Sequence, residues 1–307
     1  MNVLFVGEGR LGNQIFQYSA IRKLFGPEAI VWSPSLRSVA QVFKDDGRLK
    51  VGFSEKLPEA AIRRILVPAL IRPLFRTARF GAYCRERVEE LASRVRAECG
   101  CPEIQPGRLS RWAFVDGGYY QNLSDLLAPA DFRFLDVKPE LVASAREIMK
   151  KRLGSRIPKI AMHVRRGDYV GFSSFGLSSV VLPAGYYEAA GATARRRCGP
   201  NSEILIISDD PDWCERELAS LHPFSTIHCS EAVDFTLLSL FPIVVISNST
   251  FSLAAACVGK NVEMVIGPTY WLGHQVGEWY PPRIAVTDRR FMYVRSGLLD
   301  RKKVDGQ

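Results

Sequence analysis

In the second half of the chain the hydrophobic positions fall into short blocks that alternate with stretches of helical period. Residues 157–164, 203–207, 226–229, 242–246 and 262–266 are brief apolar or β-branched runs, each about the length of one strand. Between them, 184–197, 212–221, 232–240 and 251–258 read as helices. This alternation predicts βαβ units, and therefore a mostly parallel sheet covered by helices. The first half begins the same way, with a strand at 2–6, a helix at 13–25 and a strand at 29–32. Regularity is then lost through 63–96, a long basic region read as helical, before an extended segment at 112–120. Lys150-Lys151-Arg152 followed by Gly154-Ser155 reads as a charged linker, so two α/β domains are expected, 1–154 and 155–307.

Composition narrows the class. A chain of 307 residues, 47% hydrophobic and 24% charged, can build a large core, which excludes a disulfide-stapled peptide, a disordered segment and a polytopic membrane protein. Lys plus Arg outnumber Asp plus Glu by 41 to 32, giving a net charge of +9. That balance suits nucleic acid, an anionic membrane surface or an acidic small substrate, so the positions of the arginines must decide. The seven cysteines form no CxxC pair, and they read as reduced thiols of a cytosolic protein. Val3-Leu4-Phe5-Val6 opens the chain without a basic run and long apolar stretch, so no signal peptide or anchor is expected.

In an open parallel sheet, ligands collect at the carboxyl ends of the strands. Here those ends are conspicuously polar: His163-Val164-Arg165-Arg166-Gly167-Asp168-Tyr169, Ser208-Asp209-Asp210-Pro211 and Ser247-Asn248-Ser249-Thr250, with Gly267-Pro268-Thr269-Tyr270-Trp271 at a fourth. Such an edge suits a nucleotide polyanion. Ser249 and Thr250 precede a helix, whose hydroxyls and free N–H groups can grip a phosphate. The planar fork of Arg165 matches two phosphate oxygens, and Asp209 or Asp210 can accept from guanine N1–H and N2–H₂. Simpler roles exist for the same residues: an N-cap for the Ser-Asn-Ser-Thr run and a plain turn for Ser-Asp-Asp-Pro.

Gly7-Glu8-Gly9-Arg10-Leu11-Gly12 matches the GxGxxG pattern after a strand, which would indicate an NAD(P)-binding oxidoreductase. That reading wants an acid at the end of the second strand, where this chain has Ser33-Pro34.

Three motifs coincide with a known family. Gly9-Arg10-Leu11-Gly12-Asn13-Gln14-Ile15-Phe16-Gln17-Tyr18, the His163–Tyr169 motif and Ser247-Asn248-Ser249-Thr250-Phe251-Ser252 resemble the α-1,2-fucosyltransferases, glycosyltransferase family 11. Asp116-Gly117-Gly118-Tyr119-Tyr120-Gln121-Asn122 and Ser208-Asp209-Asp210-Pro211 resemble further segments in the same order, so the resemblance runs from about residue 7 to 271. It implies a GT-B-like fold, with two Rossmann-like domains of mostly parallel sheet facing across a cleft. The first would lie on the acceptor side and the second would bind GDP-fucose, with inversion at the anomeric carbon and neither metal nor cofactor. The donor-binding set implied is His163, Arg165, Arg166, Asp209, Asp210, Asn248, Ser249, Thr250 and Phe251; Arg10, Gly12, Asn13 and Gln14 would enter from the N-terminal domain. Leu253-Ala254-Ala255 departs from the family, which often carries tryptophans after its Ser-Asn-Ser motif.

On this reading Arg165 stabilises the charge that grows on the leaving β-phosphate. Asp168 is either the base for the acceptor hydroxyl or a salt-bridge partner of Arg165 or Arg166. The acceptor is expected to be an oligosaccharide or a lipid-linked glycan, with fucose added α-1,2 to galactose. The basic segment 63–87, with Arg64, Arg72, Arg76, Arg79 and Arg85 among Ile65, Leu66, Leu70, Ile71 and Phe75, suggests peripheral membrane contact. No nucleic-acid motif accompanies it. A non-catalytic protein binding an anionic ligand or a membrane surface is the rival expectation, and the family's membrane-anchored animal relatives make a cytoplasmic, bacterial-type form the expected one here.

Overall fold

A computed structural model describes residues 1–51, 62–71, 73, 82–85, 112–154, 157–172 and 179–296. Contacts divide the chain into two compact units: Met1–Gln121 with Asp125–Leu127, and Asn122–Ser124 with Ala128–Gln307.

In the first unit β1 (Asn2–Val6) leads into α1 (Leu11–Phe25), β2 (Ile30–Ser33), α2 (Arg37–Val42) and β3 (Leu49–Val51). β4 (Ala82–Arg85) and β5 (Trp112–Asp116) complete a five-stranded sheet in the order β3-β2-β1-β5-β4, with every pairing parallel. Strand periodicity sends Leu4, Val6 and Phe114 to one face, where they pack with Val67 and Ile71 of the helical segment Ile62–Ile71. That segment is π-helical and contains Pro68, which has no N–H to give to a regular α-helical ladder. The region expected to be one long helix therefore includes a strand, β4, whose residues 82–85 pair with 113–116 of β5. The rest of the basic segment 63–87 lies mostly outside the described residues.

The second unit holds α3 (Pro139–Leu153), β6 (Ile160–Val164), α4 (Ala184–Cys198), β7 (Ile204–Ser208), α5 (Pro211–Glu217) and β8 (Phe224–Ile227). It continues with α6 (Glu231–Leu240), β9 (Ile243–Val245), α7 (Thr250–Val258), β10 (Met264–Pro268) and β11 (Phe291–Val294). The six strands are parallel in the order β11-β10-β9-β6-β7-β8, so the expected α/β class and parallel pairing hold in both units. Residues 150–152, which suggested a linker, are the last turn of α3: basic side chains there complement the negative helix end, and Gly154 terminates it. The division between units accordingly falls at 121–128 instead of near 154. β11 extends the sheet past residue 266, where the sequence reading had its last strand.

β6, β7 and β9 are buried along their whole length, as strands covered on both faces must be. Ile160, Met162, Ile204, Ile206, Ile243 and Val245 meet Tyr186, Tyr187, Ala190 and Ala194 of α4, each large apolar side chain contributing about 1.5–3 kcal/mol. The fully buried Tyr186 hydroxyl donates to the Ile246 carbonyl at 2.5 Å, which ties α4 to the end of β9. The turn from β8 into α6 hangs on Asp234. Its carboxylate accepts from the Cys229 N–H at 3.0 Å and lies 3.1 Å from His228 Nδ1. Burial raises the Asp234 pKa to about 6, against the opposing pull of His228 and the Cys229 N–H. Among the described residues no helix is long and apolar enough to cross a membrane.

Two outcomes follow from this packing. Tyr186→Phe removes a buried donor and leaves a carbonyl unpaired, so chemical denaturation should show a loss of about 1–2 kcal/mol. Asp234 has a higher pKa in the folded chain than in the unfolded one, so its contribution to stability is fully present below about pH 4 and lost as pH rises through about 6. Asp234→Asn should thus gain stability relative to the wild type between pH 4.5 and 7, by on the order of 2 kcal/mol in paired melting curves. A parallel pH dependence of the two proteins would show that Asp234 is ordinary.

Candidate functional site

The carboxyl end of β6 releases the chain into a short 3-10 turn, Gly167–Tyr169. Asp209, at the end of the neighbouring β7, holds that turn. Its Oδ1 accepts from the backbone N–H groups of Arg166 at 2.9 Å and Gly167 at 3.2 Å, and its Oδ2 lies 2.6 Å from Arg165 Nη1. A Cβ at position 167 would sit 2.6 Å from Asp209 Oδ2, so only glycine admits the carboxylate this close. Arg165 Nη2 donates to Asp168 Oδ1 at 2.5 Å. The guanidinium is therefore held at both Nη atoms, over the Tyr169 ring at 5.7 Å.

Arg166 takes different partners. Its guanidinium lies 4.1 Å from the centroid of Trp213, and its Nε donates to Asp210 Oδ2 at 3.1 Å. Asp210 also N-caps α5 by accepting from the Trp213 N–H at 3.1 Å. The adjacent arginines thus part company as strand alternation expects. Asp209 and Asp210, anticipated as readers of a guanine edge, are both engaged with the arginines, Asp209 with Arg165 and Asp210 with Arg166.

His163, one alternation before Arg165, is buried, with Nδ1 2.8 Å from Ser247 Oγ and its ring 5.2 Å from Phe251. Burial, reinforced by the positive charge of Arg165, lowers its pKa to about 3, so it is neutral at physiological pH and cannot serve as a proton donor of ordinary strength. Phe251 in turn packs edge-on against Phe235.

At the end of β9, Asn248 is buried and donates through Nδ2 to the Val180 carbonyl at 2.7 Å, while its own carbonyl accepts from the Tyr169 hydroxyl at 3.2 Å. Ser249 occupies the N-cap position of α7 but makes no side-chain cap bond, so the N-cap alternative does not account for its hydroxyl. Instead it interacts with the Tyr169 hydroxyl. Thr250 and Phe251 form the first turn of α7. The positive helix end thus stands at the same sheet edge as Arg165, an arrangement suited to anionic oxygens.

In the first unit, Arg10 is exposed at the N-cap position of α1, and Gly12 is buried in the first turn. Asn13 Oδ1 accepts from Gln121 Nε2 at 3.0 Å. Gln14 is a structural strap, donating to the Gly9 carbonyl and accepting from the Ser38 N–H, both at 3.0 Å. Gln17, which the sequence reading did not single out, ties the Glu8 and Gly118 carbonyls together at 2.8 and 3.0 Å. In the second unit Tyr169, Trp213, Ser247 and Asp234 were likewise missed as site residues. Asp234 sits among apolar residues of α6, and only its burial and the electrostatic influence of Asp209 mark it as part of this edge. Among the described residues no group of three or more His, Cys, Asp or Glu is placed to hold a metal ion.

The O-antigen biosynthesis glycosyltransferase WbnK of Escherichia coli is 30% identical over 129 residues, 40% of this chain and 42% of that protein. Galactoside 2-alpha-L-fucosyltransferase SEC1 of Bos taurus is 36% identical over 103 residues, 32% of this chain and 27% of that one. The aligned parts therefore span less than half the length of either relative. Among solved structures, an Arabidopsis thaliana FUT1 variant in complex with GDP aligns over 87% of this chain and 69% of its own, at 11% identity and a TM-score of 0.49. NodZ alpha-1,6-fucosyltransferase co-crystallized with GDP aligns over 86% and 93%, at 13% identity and a TM-score of 0.48. The description Glycosyl transferase family 11 matches residues 105–275, a span of more than half the chain that contains the arginine turn, both aspartates and the Ser-Asn-Ser-Thr turn, and the chain belongs to that family.

Proposed function

We propose that the protein transfers L-fucose from GDP-fucose to a hydroxyl of a glycan acceptor, with inversion, in an α-1,2 linkage to galactose. The observation that carries this reading is the arginine fixed at both Nη atoms beside an α-helix N-terminus, at the carboxyl edge of a parallel sheet. Membership of glycosyl transferase family 11 supports the reaction class, and the similarity to a galactoside 2-alpha-L-fucosyltransferase supports the linkage.

In the proposed reaction the bond between fucose C1 and the β-phosphate oxygen breaks as the acceptor oxygen attacks from the opposite face. Negative charge builds on the leaving phosphate, and a guanidinium already held in place stabilises that charge without reorganising. Asp209, with a side chain 19% exposed and further held by backbone N–H groups, is the fixed anchor of Arg165; Asp168, at 51%, is the yielding one. Donor phosphate takes over the Nη2 side of Arg165, and Asp168 turns toward the acceptor hydroxyl as its base. His163 stays neutral and adds no competing charge.

Arg165→Lys keeps the charge but cannot span the Asp209 carboxylate and a phosphate at once, so turnover should fall by roughly 10²–10³ and the thermal shift produced by GDP should vanish. Arg166→Lys loses its stacking on Trp213 and should lower the melting temperature while leaving most of the GDP shift. Steady-state kinetics with thermal-shift titration separates the two; a normal Arg165→Lys enzyme would sink the assignment. Because arginine and helix-end dipoles meet the diphosphate charge in this proposal, transfer should survive excess EDTA. Activity abolished by chelator and restored by manganese would contradict it.

A further inference from the structure

We propose that Phe172 and Val170 form the shelf on which the galactose ring of the acceptor lies, an inference that rests on the fucosyl-transfer reading. Both side chains are apolar and turned to solvent, 44% and 57% exposed, immediately beyond the turn that carries Arg165 and Asp168. They are not loose. The Val170 N–H donates to the Arg166 carbonyl at 2.9 Å, the Phe172 N–H donates to the Tyr169 carbonyl at 3.2 Å, and Gly171 supplies the positive φ of +82° that turns the chain between them. The Phe172 ring stacks on Tyr169 at 6.3 Å with 25° between the planes. Tyr169 is itself fixed, by its hydroxyl bond to the Asn248 carbonyl and by Arg165 over its ring.

The chemistry of the shelf selects its occupant. A pyranose has a face of C–H groups and a rim of hydroxyls; in galactose the axial 4-hydroxyl leaves one face almost wholly C–H. An exposed aromatic ring and, four residues before it, a half-exposed carboxylate suit both parts of such a ring, the C–H face on Phe172 and a rim hydroxyl toward Asp168. An anionic lipid surface would be repelled by Asp168, half exposed in the turn just before these residues. Phe172 follows Asp168 by four residues and stacks on Tyr169, the residue after that carboxylate, and in this proposal a sugar seated on the ring presents its hydroxyl to the base assigned above.

The test compares wild type, Phe172→Ala and Phe172→Tyr, at a position whose side chain is largely open to solvent. Binding of N-acetyllactosamine in the presence of GDP, followed by saturation-transfer NMR, should weaken by about tenfold in Phe172→Ala and be retained in Phe172→Tyr. The KM for this acceptor should rise in parallel, with the KM for GDP-fucose and the GDP thermal shift unchanged. An acceptor affinity that ignores Phe172→Ala would overturn the proposal. So would a GDP shift lost in that variant, which would make the ring a support of the nucleotide turn. The donor reading is judged separately: if the wild type shows neither GDP shift nor transfer while galactoside binding still depends on Phe172, that reading falls and the shelf stands.

Discussion

Asp209 is the constraint around which the second unit's edge is organised. One carboxylate receives two backbone N–H groups from the start of the turn after β6 and the guanidinium of Arg165. Charge-assisted bonds of this kind are the stronger ones available to a protein, and here they join two neighbouring strands at the point where their ladder ends. With Asp209 in place, the chain must turn at Gly167, Arg165 must lie toward Tyr169 and Arg166 must leave toward Trp213. A partly buried charge pair is not in itself a large source of stability, because desolvation offsets much of the attraction. Its value here is geometric: it fixes a cation before any ligand arrives.

The surroundings keep that cation effective. His163 lies one strand repeat behind Arg165 and is held neutral by burial, so it adds no positive charge of its own to compete for an incoming anion. Tyr169 bridges from the arginine turn to the end of β9 and interacts with the hydroxyl of Ser249 at the start of α7. An arginine and an aromatic ring from the turn after β6 and a helix N-terminus from the end of β9 thus come from two places in the chain and are locked by hydrogen bonds between backbone and side chain. Such locking favours electrostatic stabilisation of a transition state, since donors that are already oriented need not be reorganised during reaction.

Much of this architecture was legible locally. Apolar runs marked β1, β6, β7, β9 and β10 because strands buried on both faces leave no room for polar positions, and the polar turns after them were visible for the opposite reason. Segments with weaker local signals escaped. β4 is strand because β5 offers it an edge to pair with, and the end of α3, residues 150–155, reads as a linker from its own charges. Asp234 looked like a polar interruption of an apolar helix; nothing near it in sequence shows that it is buried and that Asp209 acts on it.

The sequence by itself determined the α/β class, the position of the arginine turn, the family and the candidacy of Arg165, because each of these is written in contiguous residues whose spacing carries the information. Tertiary structure alone decided which partner each polar group received. Arg165 and Asp209 are 44 positions apart, and His163 and Ser247 are 84. A carboxylate beside an arginine in sequence is visible at once, whereas one delivered by the next strand becomes its partner only when parallel pairing sets Val164 against Ser208. That register assigned the two aspartates to the arginines, and no pattern of hydrophobic and polar positions encodes it.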